Sequence, residues 1–125
     1  VAMLVPADGV EGVKNAVLEI VKHAGPNPCP PIVLGVGIGG TMDQAAVMSK
    51  KALLRDISTP HKDPEYAKLE EEILEMVNKT GIGPQLGGTT TCIGVNIEWG
   101  ATHIAGLPVA VTIMCHAARH KHVVL

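Results

Sequence analysis

Apolar residues recur at helical spacing in three stretches of the chain. They are Val10, Val13, Val17, Ile20, Val21 and Ala24 in the first, Met42, Ala45, Ala46, Ala52 and Leu53 in the second, and Tyr66, Leu69, Ile73, Met76 and Val77 in the third. Each stretch follows a residue type that caps helices, namely Asp8, Thr41 and Asp63, and Gln44 completes a capping-box pattern with Thr41. The spacing therefore predicts three amphipathic helices.

Other apolar runs have the length and alternation of strands. Residues 32–36 form a short buried run, residues 89–99 alternate with a period of two, and residues 109–114 form another run. The glycines between 35 and 40 are expected to turn the chain into the second helix. Residues 1–5 read as a strand cut in the middle, so we take residues 1–125 to be a fragment. The mixture predicts an α/β (α+β mixed) domain, a small sheet with helices packed on it.

The composition narrows the class of protein. The chain has 125 residues, of which 46% are hydrophobic but only 2% aromatic, with no Phe, so the core must be aliphatic. A net charge of -2 gives no basic footprint for nucleic acid, and no apolar run is long enough to cross a membrane. We expect a soluble cytoplasmic protein. Glu70, Glu71, Glu72 and Glu75 are expected to form a solvated acidic side of the third helix.

Three cysteines at wide spacing are not a secreted disulfide framework, and they suit a reducing compartment. Cys29 lies in the run Pro28-Cys29-Pro30-Pro31, a stiff loop of the kind that could hold a metal or cluster ligand in place. The alternative is a buried free thiol. Cys115, at the end of a predicted strand, has the same two interpretations. Cys92 lies inside an alternating strand, which favours a side chain that packs in the core over a metal ligand.

Three further patterns raise the question of a bound ligand or metal ion. Gly35, Gly37 and Gly40 match the dinucleotide fingerprint G-x-G-x-x-G between a predicted strand and helix, although the motif alone favours a structural turn, or a loop around another ligand, over a bound dinucleotide. His103 lies in a loop beside Gly100, where it could face a ligand or simply the solvent. His116 and His120 are four residues apart, but the chain has none of the usual zinc motifs.

Several segments taken together resemble one family. They are residues 24–31 (AGPNPCPP), 35–41 (GVGIGGT), 50–55 (KKALLR), 81–84 (GIGP) with Gly87 and Gly88, then Thr102-His103, and residues 108–110 (PVA) leading to Cys115. In this order they are similar to the C-terminal portion of the alpha subunit of class I, iron–sulfur fumarate hydratases, with the tartrate dehydratase alpha subunit as a close relative. The similarity runs from Pro6 to the end of the chain.

The resemblance implies a hydro-lyase that hydrates fumarate to L-malate, or dehydrates tartrate, with a 4Fe-4S cluster. Cys29 and Cys115 match two cluster ligands, and the third belongs to sequence upstream. Cys92 matches none. His103 matches a histidine that contacts the substrate, so we expect it to converge with Cys115 on one site. A small dicarboxylate and a beta subunit or domain are the implied partners, in an oligomer when complete.

The resemblance also implies that this chain alone is inactive, and that the cluster can be absent from it. Two alternatives remain open at this point. One is a small nucleotide-binding module built on residues 35–40, and the other is a non-catalytic structural domain. Reconstitution with iron and sulfide distinguishes the first interpretation from these two, and a titration with NAD tests the nucleotide module.

Overall fold

A computed structural model describes residues 1–25, 27–28, 31–81, 91–115 and 123–124. The strands are β1 (Ala2–Leu4), β2 (Ile32–Gly40), β3 (Cys92–Thr102) and β4 (Leu107–Met114), and the helices are α1 (Gly9–Ala24), α2 (Met42–Ala52) and α3 (Pro64–Asn78). A 3-10 turn at Pro6–Asp8 precedes α1. No helix within these ranges is both long and apolar enough to cross a membrane.

The four strands form one mixed sheet in the order β1-β4-β2-β3. β2 and β3 are parallel, whereas β4 runs antiparallel to both of its neighbours, β1 and β2. Three helices cover this sheet. The predicted α/β class is therefore confirmed.

Helices pack on both faces of the sheet. On one face, β2 places Leu34 and Val36 in an aliphatic core with α1 and α3, to which Val17 and Ile73 belong; all four are almost fully buried. On the other face, α2 lies against β2 and β4, with Ser49 Oγ hydrogen-bonded to Thr112 Oγ1 at 2.7 Å. Because strand side chains alternate between faces, β2 needs small residues wherever it meets α2.

Local capping explains where two of the helices begin. Thr41 N donates to Gln44 Oε1 at 2.8 Å, and Gln44 N donates to Thr41 Oγ1 at 3.4 Å, which is the predicted capping box. Asp63 Oδ1 accepts from Glu65 N at 3.0 Å at the start of α3. Asp8 differs from the prediction, because its carboxylate accepts from Val5 N at 3.0 Å and makes no cap bond to α1.

Two strands end later than the sequence predicted. β2 continues through the glycine-rich run to Gly40, and β3 reaches Thr102. Glycine weakens strands in isolation, but β2 is hydrogen-bonded on both sides, and pairing with β3 and β4 outweighs that local preference.

The acidic side of α3 is not wholly solvated, which corrects one expectation. Glu70 is 7% exposed and accepts two hydrogen bonds from Arg55 Nη2, at 2.7 and 3.0 Å. Burial raises the pKa of Glu70 above its ordinary value, although Arg55 acts in the opposite direction. Arg55 Nη1 also lies 3.6 Å from Glu98 Oε1, so this arginine links α3 to β3.

Candidate functional site

The strand directions divide the sheet into two ends. β2 and β3 begin at the end where β4 finishes, because β4 is antiparallel to β2. We call this the cysteine end, defined by Ile32, Cys92 and Cys115. The opposite end, where β3 leads through a short loop into β4, is called the histidine end and is defined by Gly40 and His103.

Cys115 follows directly after β4 at the cysteine end. Met114 pairs with Val33, so the chain leaving β4 lies beside the chain entering β2. Cys115 is half-buried and its thiol is free. Cys29 lies outside the described residues, but it precedes Ile32 by three positions in the sequence.

Asn78, at the end of α3, fixes the backbone of the cysteine end. Its Oδ1 accepts from Thr91 N at 3.2 Å and from Cys92 N at 2.8 Å, and its Nδ2 donates to Cys92 O at 3.0 Å. Ile32 N in turn donates to Thr91 O at 2.8 Å. The first residues of β2 and β3 are thus held together. Sequence reasoning missed Asn78, and the only available signal was an amide side chain beside a helix stop.

Cys92 lies in the core, where strand alternation placed it. It is 2% exposed, and its Sγ donates to Gly94 O at 3.2 Å. Burial raises the pKa of this thiol to about 11, so it stays protonated at neutral pH. Because metals bind thiolates, these surroundings do not favour a ligand role.

His103 is exposed in the loop at the histidine end. Gly106 N donates to His103 O at 3.2 Å, and Thr102 Oγ1 donates to Gly106 O at 2.6 Å, which closes the loop. The ring Nδ1 accepts from Ala105 N at 3.1 Å. A neutral imidazole that accepts at Nδ1 carries its proton on Nε2, so the outward nitrogen is a hydrogen-bond donor.

The structure does not bring His103 and Cys115 together within one copy. They flank β4, which has eight residues from Leu107 to Met114. At 3.3 Å per residue, the Cα atoms of Leu107 and Met114 at the two ends of this strand are roughly 23 Å apart. Convergence was expected because the loop of His103 leads into the strand that ends beside Cys115, but that strand is extended and separates the two residues.

The glycine motif packs α2 against the sheet. A Cβ atom added to Gly35 would lie 2.1 Å from Ser49 O, and one added to Gly37 would lie 2.0 Å from Ala45 O. At the N-terminus of α2, the capping box already occupies backbone donors that an anion would use. Both observations favour packing over nucleotide binding.

The remaining metal candidates gain no support from the geometry. His116 and His120 lie outside the described residues. Within the ranges that the structure describes, no three His, Cys, Asp or Glu side chains are grouped as a metal ion requires.

Comparison with known proteins adds the following. The family model described as Fumarate hydratase (Fumerase) matches residues 1–124. Over 118 residues the chain is 54% identical to a Methanocaldococcus jannaschii protein provisionally named L(+)-tartrate dehydratase subunit alpha, covering 94% of this chain and 41% of that protein. It is 43% identical over 118 residues to the L(+)-tartrate dehydratase subunit alpha of Escherichia coli, covering 94% of this chain and 39% of that protein. The chain thus spans about two fifths of the length of these curated relatives.

Proposed function

The chain belongs to the fumarate hydratase family, and we propose that it forms part of the alpha subunit of an iron–sulfur hydro-lyase. The observation that carries this proposal is the family match over residues 1–124, nearly the whole chain. The reaction is the reversible removal of water from a hydroxylated dicarboxylate. Both named relatives are tartrate dehydratase alpha subunits, which favours L(+)-tartrate over malate as the substrate.

Cys29 and Cys115 are the proposed ligands of a 4Fe-4S cluster. The pairing of Val33 with Met114 supports this assignment, because it places the chain after β4 beside the start of β2. The half-buried thiol of Cys115 suits a ligand, whereas the protonated, buried thiol of Cys92 does not. A third cysteine would come from another part of the enzyme. A cluster with an open iron supplies a Lewis acid for the departing hydroxyl group.

The described residues contribute to this site by holding the proposed ligand Cys115 in a fixed position. Asn78 and the backbone bonds around Thr91 hold the entries of β2 and β3, and β4 delivers Cys115 beside them. A ligand residue that directly follows a strand within the sheet keeps its thiolate in place before the metal arrives. His103 is the proposed substrate contact, donating from Nε2 to a carboxylate or to the hydroxyl group.

A beta subunit is the proposed partner, since both named relatives are alpha subunits. It would supply further substrate contacts. We therefore expect the chain alone to be inactive.

The test is to prepare the complete alpha–beta enzyme anaerobically, with iron and sulfide, and to supply L(+)-tartrate, L-malate and fumarate separately. We expect oxaloacetate from tartrate, and no turnover by the 125-residue chain treated in the same way. An iron-loaded complete enzyme that neither dehydrates tartrate or malate nor hydrates fumarate would overturn the proposal. Equal turnover by the isolated chain would refute the need for further subunits.

A further inference from the structure

The strand at one border of the sheet is covered by side chains instead of by another strand. Within the residues that the structure describes, β3 is the last strand in the order β1-β4-β2-β3 and pairs only with β2. We call the side of β3 that faces away from β2 its outer edge. Backbone N–H and C=O groups along such an edge can pair with a strand of another molecule. The side chains that occupy the outer edge therefore decide whether β3 can do so.

Asn78 of α3 occupies the beginning of the outer edge. Its side-chain amide accepts from Cys92 N at 2.8 Å and donates to Cys92 O at 3.0 Å. On the other side of the strand, Ile32 N of β2 donates to Thr91 O. Neighbouring residues of a strand direct their backbone groups to opposite sides, so those of Cys92 point away from β2. An amide that binds both groups of one residue takes the place of a neighbouring strand there.

The ion pair between Arg55 and Glu70 crosses the middle of the outer edge. Arg55 follows α2 on one face of the sheet, and Glu70 belongs to α3 on the other face. Because β3 is the last described strand, a pair that joins these two faces must pass beside its outer edge. Arg55 Nη1 lies 3.6 Å from Glu98 Oε1 of β3, and the backbone N–H of Ile97 bonds to the Glu70 carboxylate.

The connection between α2 and α3 is held against the same strand. Asn96 Nδ2 donates to Ala52 O at 3.0 Å and to Arg55 O at 2.8 Å. A Cβ atom added to Gly94 would lie 2.7 Å from Ile57 Cβ, so Ile57 packs directly on β3. These contacts fix the backbone of Arg55 and thereby hold its side chain at the outer edge.

We propose that Arg55, Glu70 and Asn78 form an edge clamp, which keeps β3 from pairing with β3 of a second copy of the chain. The strand has the composition of a self-pairing segment, since residues 92–99 (CIGVNIEW) are rich in β-branched and aromatic residues, contain no Pro and carry one charge. An approaching strand would have to displace the ion pair or separate its charges, which is costly away from water. The inference does not depend on the proposed function.

Sedimentation of the complete alpha–beta enzyme tests the edge clamp. The opening variant carries Arg55→Ala with Glu70→Ala, so that neither charge is left unpaired. The matched control carries Glu75→Ala with Lys79→Ala, which removes an exposed ion pair at the end of α3 and likewise leaves the net charge unchanged. We expect the opening variant to self-associate at a concentration at least about tenfold lower than the wild type and the control, since one or two backbone hydrogen bonds change an affinity by that factor.

Three further variants distinguish pairing through β3 from a general loss of stability. Added to the opening variant, Ile93→Lys places a charge on β3 and should restore wild-type behaviour. Ile104→Lys, in the exposed loop that follows β3, should leave the association of the opening variant unchanged. Glu70→Gln alone keeps the size of the side chain but loses its charge, so we expect association between that of the wild type and the opening variant. If the double substitution does not fold, Glu70→Gln decides the test.

Amide hydrogen exchange locates the contact. In the dilute opening variant, the Ile97 amide should exchange faster than in the wild type. At high concentration it should regain protection together with its neighbours in β3. An opening variant that associates no more than the control would overturn the inference, as would a Glu70→Gln enzyme identical to the wild type. Association with protection only outside β3, or association that Ile93→Lys leaves unchanged, would overturn it as well.

Discussion

Replacing Gly37 by Ala should displace α2 from the sheet and destabilise the fold. The added Cβ would lie 2.0 Å from Ala45 O and 2.7 Å from Ser49 N, both backbone atoms of α2. Real Cβ contacts below 3.0 Å essentially do not occur, so the helix must move by about 1 Å. Close-packed interiors resist such a shift, and we expect a loss of about 3 kcal/mol in the free energy of unfolding.

Gly100→Ala is the matched control for this substitution. Its added Cβ would lie 3.6 Å from Met48 Sδ, an ordinary contact with a flexible side chain of the same helix. We expect a change within about 0.5 kcal/mol. Urea denaturation followed by circular dichroism measures both variants, with the free energy of unfolding extrapolated to water.

The result also decides between the two interpretations of the glycine motif. If the glycines allow α2 to pack closely against β2, Gly37→Ala is destabilising in the absence of any nucleotide. Millimolar NAD then leaves the urea midpoint of the wild type unchanged. A ligand that binds the native state raises stability in proportion to the logarithm of its concentration over Kd. A Gly37→Ala variant with the wild-type free energy of unfolding, together with a wild-type midpoint that rises with NAD, would refute the reasoning.

Substitutions at two further positions test other parts of the structure. Asn78→Ala removes three hydrogen bonds at the cysteine end and should cost about 2–3 kcal/mol in denaturation, whereas Asn78→Asp, which keeps the acceptor, should cost less. Cys92 has a folded pKa of about 11 against an ordinary 9.0, so the unfolded state ionises first and stability falls as pH rises from 9 to 11. Between pH 8 and pH 10.5 the wild type should therefore lose about 2 kcal/mol more than Cys92→Ala, and equal losses would contradict a protonated core thiol.

The elements that the sequence predicted well are those determined by neighbouring residues. The capping box of Thr41 with Gln44, and the cap of Asp63 at α3, depend on contacts two or three residues away, and the structure contains both. The α/β class and most of the helical stripes follow from periodicity in the same way, but Val10 and Met42, which belong to predicted stripes, are exposed. The family resemblance, based on motifs in order, was confirmed by the match over residues 1–124.

The elements that it missed depend on distant partners. Glu70 is buried because Arg55, fifteen positions earlier, reaches it across the fold, and a helical pattern carries no sign of that ion pair. β2 extends to Gly40 because strands on both sides provide its hydrogen bonds. The separation of His103 from Cys115 depends on β4 remaining extended, which the number of residues between them does not reveal.

The central claim is that Cys29 and Cys115 hold the cluster and Cys92 does not. Its most direct test is the iron content of the complete enzyme, purified anaerobically with each cysteine replaced by Ala in turn. The account predicts that Cys29→Ala and Cys115→Ala lose most of their iron, while Cys92→Ala keeps the wild-type amount. A Cys92→Ala enzyme without iron, beside Cys29→Ala and Cys115→Ala enzymes that retain it, would contradict the account.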